Sequence, residues 1–283
     1  MDGTPWMQRL LVRLFRVLPQ GFLYGVASVF VLPFYILLDR RGRRGSYLFA
    51  RQLGMGRLRS AFHVAGNFYN MGKVVLDRFA AYAGKKFQMV YSDVSVYYDQ
   101  TAKPEPLLLL SSHVGNYEMV GYMLPVPKPM KVLVYGGESE TVMENRGRLF
   151  GEMDIQMVPV KEDLSHLFII DKALSDGEIV SLPSDRPFGS RKVFRLPFLG
   201  KEAAFPAGPF TLAVRRELPA IMAPYVIKEG RRQYKILLDV LTIPSEGTAT
   251  EKARALAAQY VASLEKVARQ WPLQWYNFYD FWQ

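Results

Sequence analysis

Short apolar runs alternate with helical patterns along most of the chain after residue 85. The runs have the length and composition of buried strands. They lie at 86–95, 106–112, 130–136, 155–160, 177–185, 193–200, 219–230 and 233–244. The intervening helical patterns lie near 116–124, 138–152, 163–176 and 248–270. Because strands that alternate with helices form parallel sheets covered on both faces, we predict a single α/β domain with a mostly parallel mixed sheet flanked by helices.

The helix predicted at 163–176 has the clearest boundary signals. Asp163 is a residue type that caps helix N-termini, and Gly177 is the type that ends helices. The spacing of the apolar residues predicts that Leu164, Leu167, Phe168 and Leu174 face the core.

The chain before residue 57 has a different, membrane-like pattern. Residues 5–18 predict a basic amphipathic helix, which suits a membrane interface. Residues 21–38 carry no charge, include Pro33, and are followed by arginines within 40–44. Eighteen residues are at the lower limit for crossing a bilayer, so this segment either spans the membrane or lies in its interface, and a buried core helix is the alternative.

These patterns predict two parts of the chain. Residues 1–56 form an N-terminal membrane-associated helical segment, and residues 57–283 form the α/β domain, which opens with a long helix over 57–83. The arginines after residue 38 place that end of the apolar segment in the cytoplasm. No signal-peptide cleavage pattern precedes the segment, which also favours a cytoplasmic location for the domain.

The residue composition excludes some kinds of catalytic and metal site and indicates the charge of the partners. The chain has no cysteine, which excludes disulfides and a cysteine nucleophile, and its three histidines show no metal-ligand spacing. We therefore predict neither a metal site nor a cofactor. The net charge of +10 suits anionic partners. The basic residues crowd around the apolar N-terminal segment, which favours an anionic membrane surface over nucleic acid.

The stretch "SSHVGNYEMVG" (111–121) holds the residues best suited to catalysis. His113 follows a predicted buried strand, and Glu118 lies five positions later, on the first turn of the next predicted helix. Ligands bind at the carboxyl ends of parallel strands. An imidazole can act there as a general base, and a carboxylate can orient it. The spacing fits equally well a hydrogen-bonded core histidine followed by a first-turn helix acid.

The same stretch resembles a motif of the bacterial lipid A biosynthesis acyltransferases, in the lysophospholipid acyltransferase-like superfamily. "HVGNYE" is similar to their His-Phe-Gly-Asn-Trp-Glu form of a His-x-x-x-x-Asp/Glu motif. Further blocks occur in the same order, and the resemblance covers about residues 20–283. They include "ENRGRLFGEM" (144–153), the 163–190 segment with "SLPSDRPFGS", and "FRLPFLGKEAAFPAGPFTLA" (194–213). The third residue of "DRP" departs from the family pattern, which has a second acid there.

The resemblance implies direct acyl transfer from a thioester, carried by acyl carrier protein or coenzyme A, to a lipid or glycolipid hydroxyl. It implies His113 as general base and Glu118 as its orienting partner, at the cytoplasmic face of a bacterial inner membrane. The substrate-binding candidates are Ser112, Asn116, Arg146, Arg148, Asp185, Arg186 and Gly121. A non-catalytic lipid-binding or assembly protein on the same fold is the alternative. We further predict an acyl-chain groove between residues 119–124, 196–200 and the N-terminal helices.

Overall fold

The computed structural model describes residues 5–134, 154–161, 163–187, 190 and 192–282. Within these residues, seven strands form one sheet and two more form an antiparallel hairpin. In chain order the strands are β1 (Gln88–Tyr91), β2 (Leu107–Ser111), β3 (Met130–Val134), β4 (Ile155–Pro159), β5 (Ile179–Pro183), β6 (Val193–Phe198), β7 (Lys201–Pro206), β8 (Ile221–Lys228) and β9 (Gln233–Leu241). The order across the sheet is β1-β9-β8-β2-β5-β3-β4. Only the β8–β9 pair is antiparallel within this sheet, so the mostly parallel mixed sheet of the prediction is confirmed.

Helices cover both faces of the sheet. They are α1 (Pro5–Val17), α2 (Gln20–Val26), α3 (Leu32–Leu38), α4 (Arg40–Gln52), α5 (Arg57–Tyr82), α6 (Ser95–Thr101), α7 (Val120–Met123), α8 (Ser165–Ser175), α9 (Gly208–Arg215) and α10 (Ala249–Gln270). A π-helical turn, Ala27–Val31, joins α2 to α3. The predicted helix at 138–152 lies outside the described residues.

The central strand β2 divides the core into two layers. All five of its residues are buried, as in a strand covered on both faces. Leu108 and Leu110 point into a layer that includes Trp275 of the C-terminal tail. Leu107 and Leu109 point into the opposite layer. The aromatic C-terminal tail therefore packs against the core.

Helix α8 presents a different face to the core than the sequence predicts. Leu164, Leu167 and Phe168 are 54%, 52% and 77% exposed. The buried stripe is His166, Ile170, Ala173 and Leu174. This stripe follows the i, i+4, i+7, i+8 spacing of a helix that covers a sheet with one narrow face. The inward orientation predicted for the first three residues is wrong, whereas that of Leu174 is confirmed.

The N-terminal helices pack along α5. Within the described residues, one helix, Gln20–Leu38, is long and apolar enough to cross a membrane; its mean hydropathy is 2.0 and 11% of it is buried. Pro33 lacks the amide hydrogen that would bond the carbonyl four residues earlier, and the helix widens to a π-turn just before it. The predicted boundary at residue 56 stays a prediction, and α4 contributes the fully buried Phe49 to the main core.

Candidate active site

His113 lies two residues beyond the carboxyl end of β2. The neighbouring strand β5 is parallel to β2 and in register, with Ser111 opposite Pro183. This register brings Asp185, two residues beyond β5, next to His113. The His113 amide donates to Oδ2 of Asp185 at 2.9 Å, and Nδ1 of the imidazole lies 2.7 Å from Oδ1. The carboxylate therefore holds both the backbone and the ring of the histidine.

Asp185 is completely buried yet ionised. Nε1 of Trp275 donates to its Oδ2 at 3.1 Å, so both oxygens accept hydrogen bonds. Burial alone would raise the pKa of Asp185, but the charge and hydrogen bonds of His113, with the charge of Arg186, lower the pKa from 3.8 to about 2. A buried carboxylate with this set of donors is a fixed negative charge at neutral pH.

The Asp185 contact determines which nitrogen of His113 can act. An ionised carboxylate only accepts hydrogen bonds, so Nδ1 carries a proton, and in the neutral form of the ring Nε2 is the nitrogen that has the lone pair. Among the described residues, Nε2 has no hydrogen-bond partner, and 19% of the side chain is exposed. The ring of Tyr117 lies 4.7 Å from the imidazole ring. The arrangement is that of a general base held by an orienting acid.

The backbone around His113 is fixed by the glycine of "HVGN". Gly115 has φ +59°, and a Cβ there would lie 1.9 Å from the Val226 carbonyl oxygen. Only glycine allows the turn to pass this close to β8. The Asn116 amide donates to the same carbonyl at 2.8 Å, and the Tyr276 amide donates to the His113 carbonyl at 2.9 Å. The turn is thus held between β8 and the C-terminal tail.

Glu118 does not occupy the predicted orienting position. Its carboxylate forms an ion pair with Arg78 of α5, and the carboxylate bonded to His113 is that of Asp185. Arg78 also donates to Oδ1 of Asn116 at 3.1 Å and lies over the Tyr117 ring at 5.1 Å. The 3₁₀ turn that carries Glu118 directs the carboxylate toward α5. The prediction that Glu118 orients His113 is corrected in this respect.

Two predicted substrate-binding residues belong to the interior of the site. Asn116 is fully buried, and its side chain contacts Arg78 and, at 3.2 Å, the Tyr234 hydroxyl. Both ends of its amide are engaged within the protein, so it supports the turn and does not present these groups to an acceptor. Ser112 is 2% exposed and lies at the buried end of β2.

Gly121 packs against strands β3 and β4 and does not line the predicted acyl groove. A Cβ at this position would lie 2.5 Å from Cδ1 of Ile155 and 3.3 Å from Sδ of Met130, so the glycine allows α7 to pack closely on strands β3 and β4. Met119, Val120 and Met123 belong to one core layer, and Leu196, Phe198 and Leu199 belong to the other. The sheet separates the two segments, and the predicted groove between them is wrong.

Arg186 is the described member of the three candidate arginines. It donates through Nη2 to the Tyr276 carbonyl, and its guanidinium lies 5.8 Å from the Tyr279 ring. Its Nε is buried without a hydrogen-bond partner within the described residues. Arg146 and Arg148 lie outside the described residues. Within the residues that the structure describes, no cluster of three or more His, Asp or Glu side chains could hold a metal ion.

Sequence reasoning missed three roles: Asp185 as the partner of His113, Trp275 as a donor to Asp185, and Arg78 as the partner of Glu118. The sequence does contain a pattern that indicates the role of Asp185. "LLLLSSH" (107–113) and "IVSLPSD" (179–185) are equivalent strand-to-loop segments, and aligning their strands places His113 opposite Asp185. Trp275 and Arg78 come from the tail and from α5, which no short-range pattern connects to the motif.

Comparison with known protein families gives one match. Residues 95–283 match the family described as bacterial lipid A biosynthesis acyltransferase, and this match includes His113, Glu118 and Asp185. No curated protein matches the chain. The family match covers more than half of the sequence. The chain therefore belongs to the bacterial lipid A biosynthesis acyltransferase family, and is an acyltransferase of lipid biosynthesis.

Proposed function

We propose that the chain transfers a fatty acyl group from a thioester on acyl carrier protein or coenzyme A to a hydroxyl of a lipid or glycolipid, with His113 as general base. The observation that carries this proposal is the His113–Asp185 pair at the carboxyl end of the sheet. In this proposal Asp185, and not Glu118, is the carboxylate that orients the base.

The proposed reaction uses the free lone pair of Nε2. His113 removes the proton of the acceptor hydroxyl as its oxygen attacks the thioester carbonyl. The new C–O bond forms, the C–S bond breaks, and the imidazolium returns the proton to the departing thiolate. Asp185 stabilises the imidazolium without taking the proton, which its low pKa makes unfavourable.

Two further side chains have proposed supporting roles. The guanidinium of Arg186, whose charge helps to lower the pKa of the neighbouring Asp185, is a candidate to stabilise the oxyanion of the tetrahedral intermediate or to bind an acceptor phosphate. Glu118 acts indirectly: its ion pair with Arg78 fixes the turn on which Tyr117 packs against the imidazole. It is therefore a positioning residue in this proposal.

The proposed location is the cytoplasmic face of a bacterial inner membrane. The exposed apolar helix Gln20–Leu38 supports membrane association, and the arginines that follow it support the cytoplasmic side. An acidic carrier protein would be attracted to a chain with a net charge of +10.

The proposal is tested by acyl transfer from matched acyl carrier protein and coenzyme A donors to a total lipid extract. The natural acceptor is identified in a separate experiment, in which the lipids of a deletion strain and of its parent are compared by mass spectrometry. His113→Ala should lower kcat by about 10²–10⁴-fold, because that is the usual contribution of a general base. Far-ultraviolet circular dichroism and melting temperature provide the control for folding. Equal rates above background for wild type and variant would show that His113 is not the base, whereas rates no higher than background for both would favour a non-catalytic lipid-binding protein.

A further inference from the structure

The apolar helix, which comprises α2, the π-turn and α3 (Gln20–Leu38), is docked along one side of α5. A Cβ on Gly72 of α5 would come within 2.7 Å of Cδ2 of Leu32, so the two helices are in close contact at mid-length. Further along, the rings of Tyr35 and Phe68 lie 5.9 Å apart. The apolar helix therefore follows α5 and does not project away from the domain.

The N-terminal end of the apolar helix is hydrogen-bonded to the catalytic domain. The side chains of Gln20 and Tyr24 both contact the buried carboxylate of Asp77 on α5. Nε of Arg232, which lies in the β8–β9 turn, donates to Oε1 of Gln20 at 3.0 Å. Asp77 in turn forms a 2.6 Å ion pair with Lys228 at the end of β8. This end is thus joined to the same sheet edge that carries His113.

Helix α1, which precedes the apolar helix, also packs on α5. Phe15 of α1 is fully buried in a small cluster with Leu23 of α2 and Ala80 of α5. The chain on both sides of Pro19 therefore packs on the second half of α5.

The C-terminal end of the apolar helix is also attached to the domain, through α4. The Asp39 side chain accepts from the Gly42 amide and caps α4, which follows directly. Gly45 packs against the backbone of Tyr279, where a Cβ would lie 2.4 Å from the Tyr279 amide nitrogen. Phe49 then enters the main core.

The face of the apolar helix that points away from α5 is unusually exposed. Its apolar side chains have between 39% and 75% of their surface exposed, and they are Phe22, Val26, Val29, Phe30, Val31, Phe34, Leu37 and Leu38. On α5, Leu58 and Phe62 are 72% and 70% exposed. They lie beside Ala61 and Ala65, which share a groove with Ile36 and Arg40. A large exposed apolar surface of this kind marks an interaction site.

Exposed cations border this surface at both ends of the apolar helix. Arg13 and Arg16 precede it, and Arg231 lies beside its first turn, against Gly21. At the other end are Arg40, Arg41, Arg57 and Arg59. Apolar side chains flanked by arginines complement a leaflet that has an acyl interior and anionic headgroups.

A helix that spans a bilayer has its ends on opposite sides of about 30 Å of hydrocarbon. Both ends of this helix are bonded to one folded domain, which carries the buried Asp77–Lys228 ion pair at one of them. Spanning would draw that domain, with its charged surface, into the hydrocarbon. We infer that the apolar helix lies in the plane of the membrane and that its exposed face, with Leu58 and Phe62, enters one leaflet of an anionic bilayer.

The absence of cysteine from the sequence allows a direct topology test in the full-length protein. Arg16→Cys and Arg41→Cys form a matched pair on either side of the apolar helix, since both replace exposed arginines. A membrane-impermeant maleimide is applied to intact and to lysed spheroplasts, with detergent-solubilised protein as the labelling control. Both cysteines should react in the same preparation, because both ends lie on one side of the bilayer. Reaction of the two cysteines from opposite sides would overturn the inference.

Depth measurement gives a second, independent test. Phe30 is 75% exposed at the middle of the apolar helix. A fluorophore on Phe30→Cys should be quenched most by spin labels close to the headgroups, since an in-plane helix is buried about 5–10 Å. Strongest quenching from the bilayer centre would contradict the in-plane arrangement. The inference shares with the proposed function only the membrane location. Neither experiment measures acyl transfer, so failure of one leaves the other intact.

Discussion

Two fully buried carboxylates, Asp185 and Asp77, lie at the same edge of the sheet. They differ in whether their partners remain accessible. Asp185 contacts His113, whose side chain is 19% exposed and whose Nε2 has no partner within the described residues. Asp77 is surrounded by Gln20, Tyr24, Lys228 and Tyr234, and the Lys228 side chain is only 7% exposed. The partners of Asp77 are held within the protein, whereas the partner of Asp185 keeps one nitrogen available. A buried charge pair supports chemistry only when one partner can still reach a substrate.

The largest effect is expected from Asp185→Asn. An asparagine can donate to Nδ1 and so favour the wrong imidazole tautomer, and it cannot stabilise the imidazolium. We expect kcat to fall by about 10²–10⁴-fold, as expected for loss of the base itself. Steady-state acyl transfer measures this change. A variant that keeps more than about a third of wild-type kcat would show that Asp185 does not orient the base.

The next largest effect is expected from Asp77→Asn, on stability. An amide leaves the buried Lys228 ammonium without its counter-charge, and breaking such a pair typically costs about 3–5 kcal/mol. The apparent melting temperature in detergent should therefore fall sharply. The kcat of the folded fraction should fall far less than that of Asp185→Asn. If the two variants lose kcat equally, the distinction between the two carboxylates is wrong.

Glu118→Gln should have a smaller effect. The amide can still accept a hydrogen bond from Arg78, so the turn loses charge but keeps its shape. A loss of one charged hydrogen bond corresponds to about a tenfold fall in kcat. Arg78→Lys changes the other partner and should cost more, because a lysine cannot keep the forked contacts of Arg78 with Glu118 and Asn116. A Glu118→Gln variant as inactive as Asp185→Asn would restore Glu118 to a direct role.

The smallest effect concerns pH. The pKa of Asp185 is lowered from 3.8 to about 2, so its stabilising contribution is complete above pH 3.8 and is lost as pH falls through about 2. The difference in melting temperature between wild type and Asp185→Asn should therefore not shrink between pH 8 and pH 5. It should shrink only as the pH approaches 2. A difference that already shrinks between pH 7 and pH 5 would mean that the carboxylate is not held ionised.

The position of His113 could be predicted from the sequence, but its partner could not be predicted from proximity. The run "LLLL" predicts a buried strand, and the residue types of "SSHVGN" predict a turn at its end, which local propensity explains. Glu118 is five residues from His113 along the chain, yet its carboxylate pairs with Arg78. Asp185 is 72 residues away and adjacent in space, because β5 lies beside β2 in the sheet.

The N-terminal segment shows the same limit for membrane topology. Its composition predicts contact with a membrane, and the exposed face of Gln20–Leu38 agrees with that prediction. Composition does not distinguish a spanning helix from an in-plane helix, because both are apolar over similar lengths. The distinction depends on long-range contacts such as those between Tyr24 and Asp77 and between Tyr35 and Phe68.

The sequence by itself determined the strand and helix pattern, the motif histidine at a strand end and the apolar, basic N-terminus. These features follow from periodicity, turn chemistry and hydropathy, which act over a few residues. Tertiary structure alone decided which acid meets His113, which face of α8 is buried and how the apolar helix lies on α5. Each of these depends on strand order or helix packing, where side chains separated by tens of residues compete for the same neighbours.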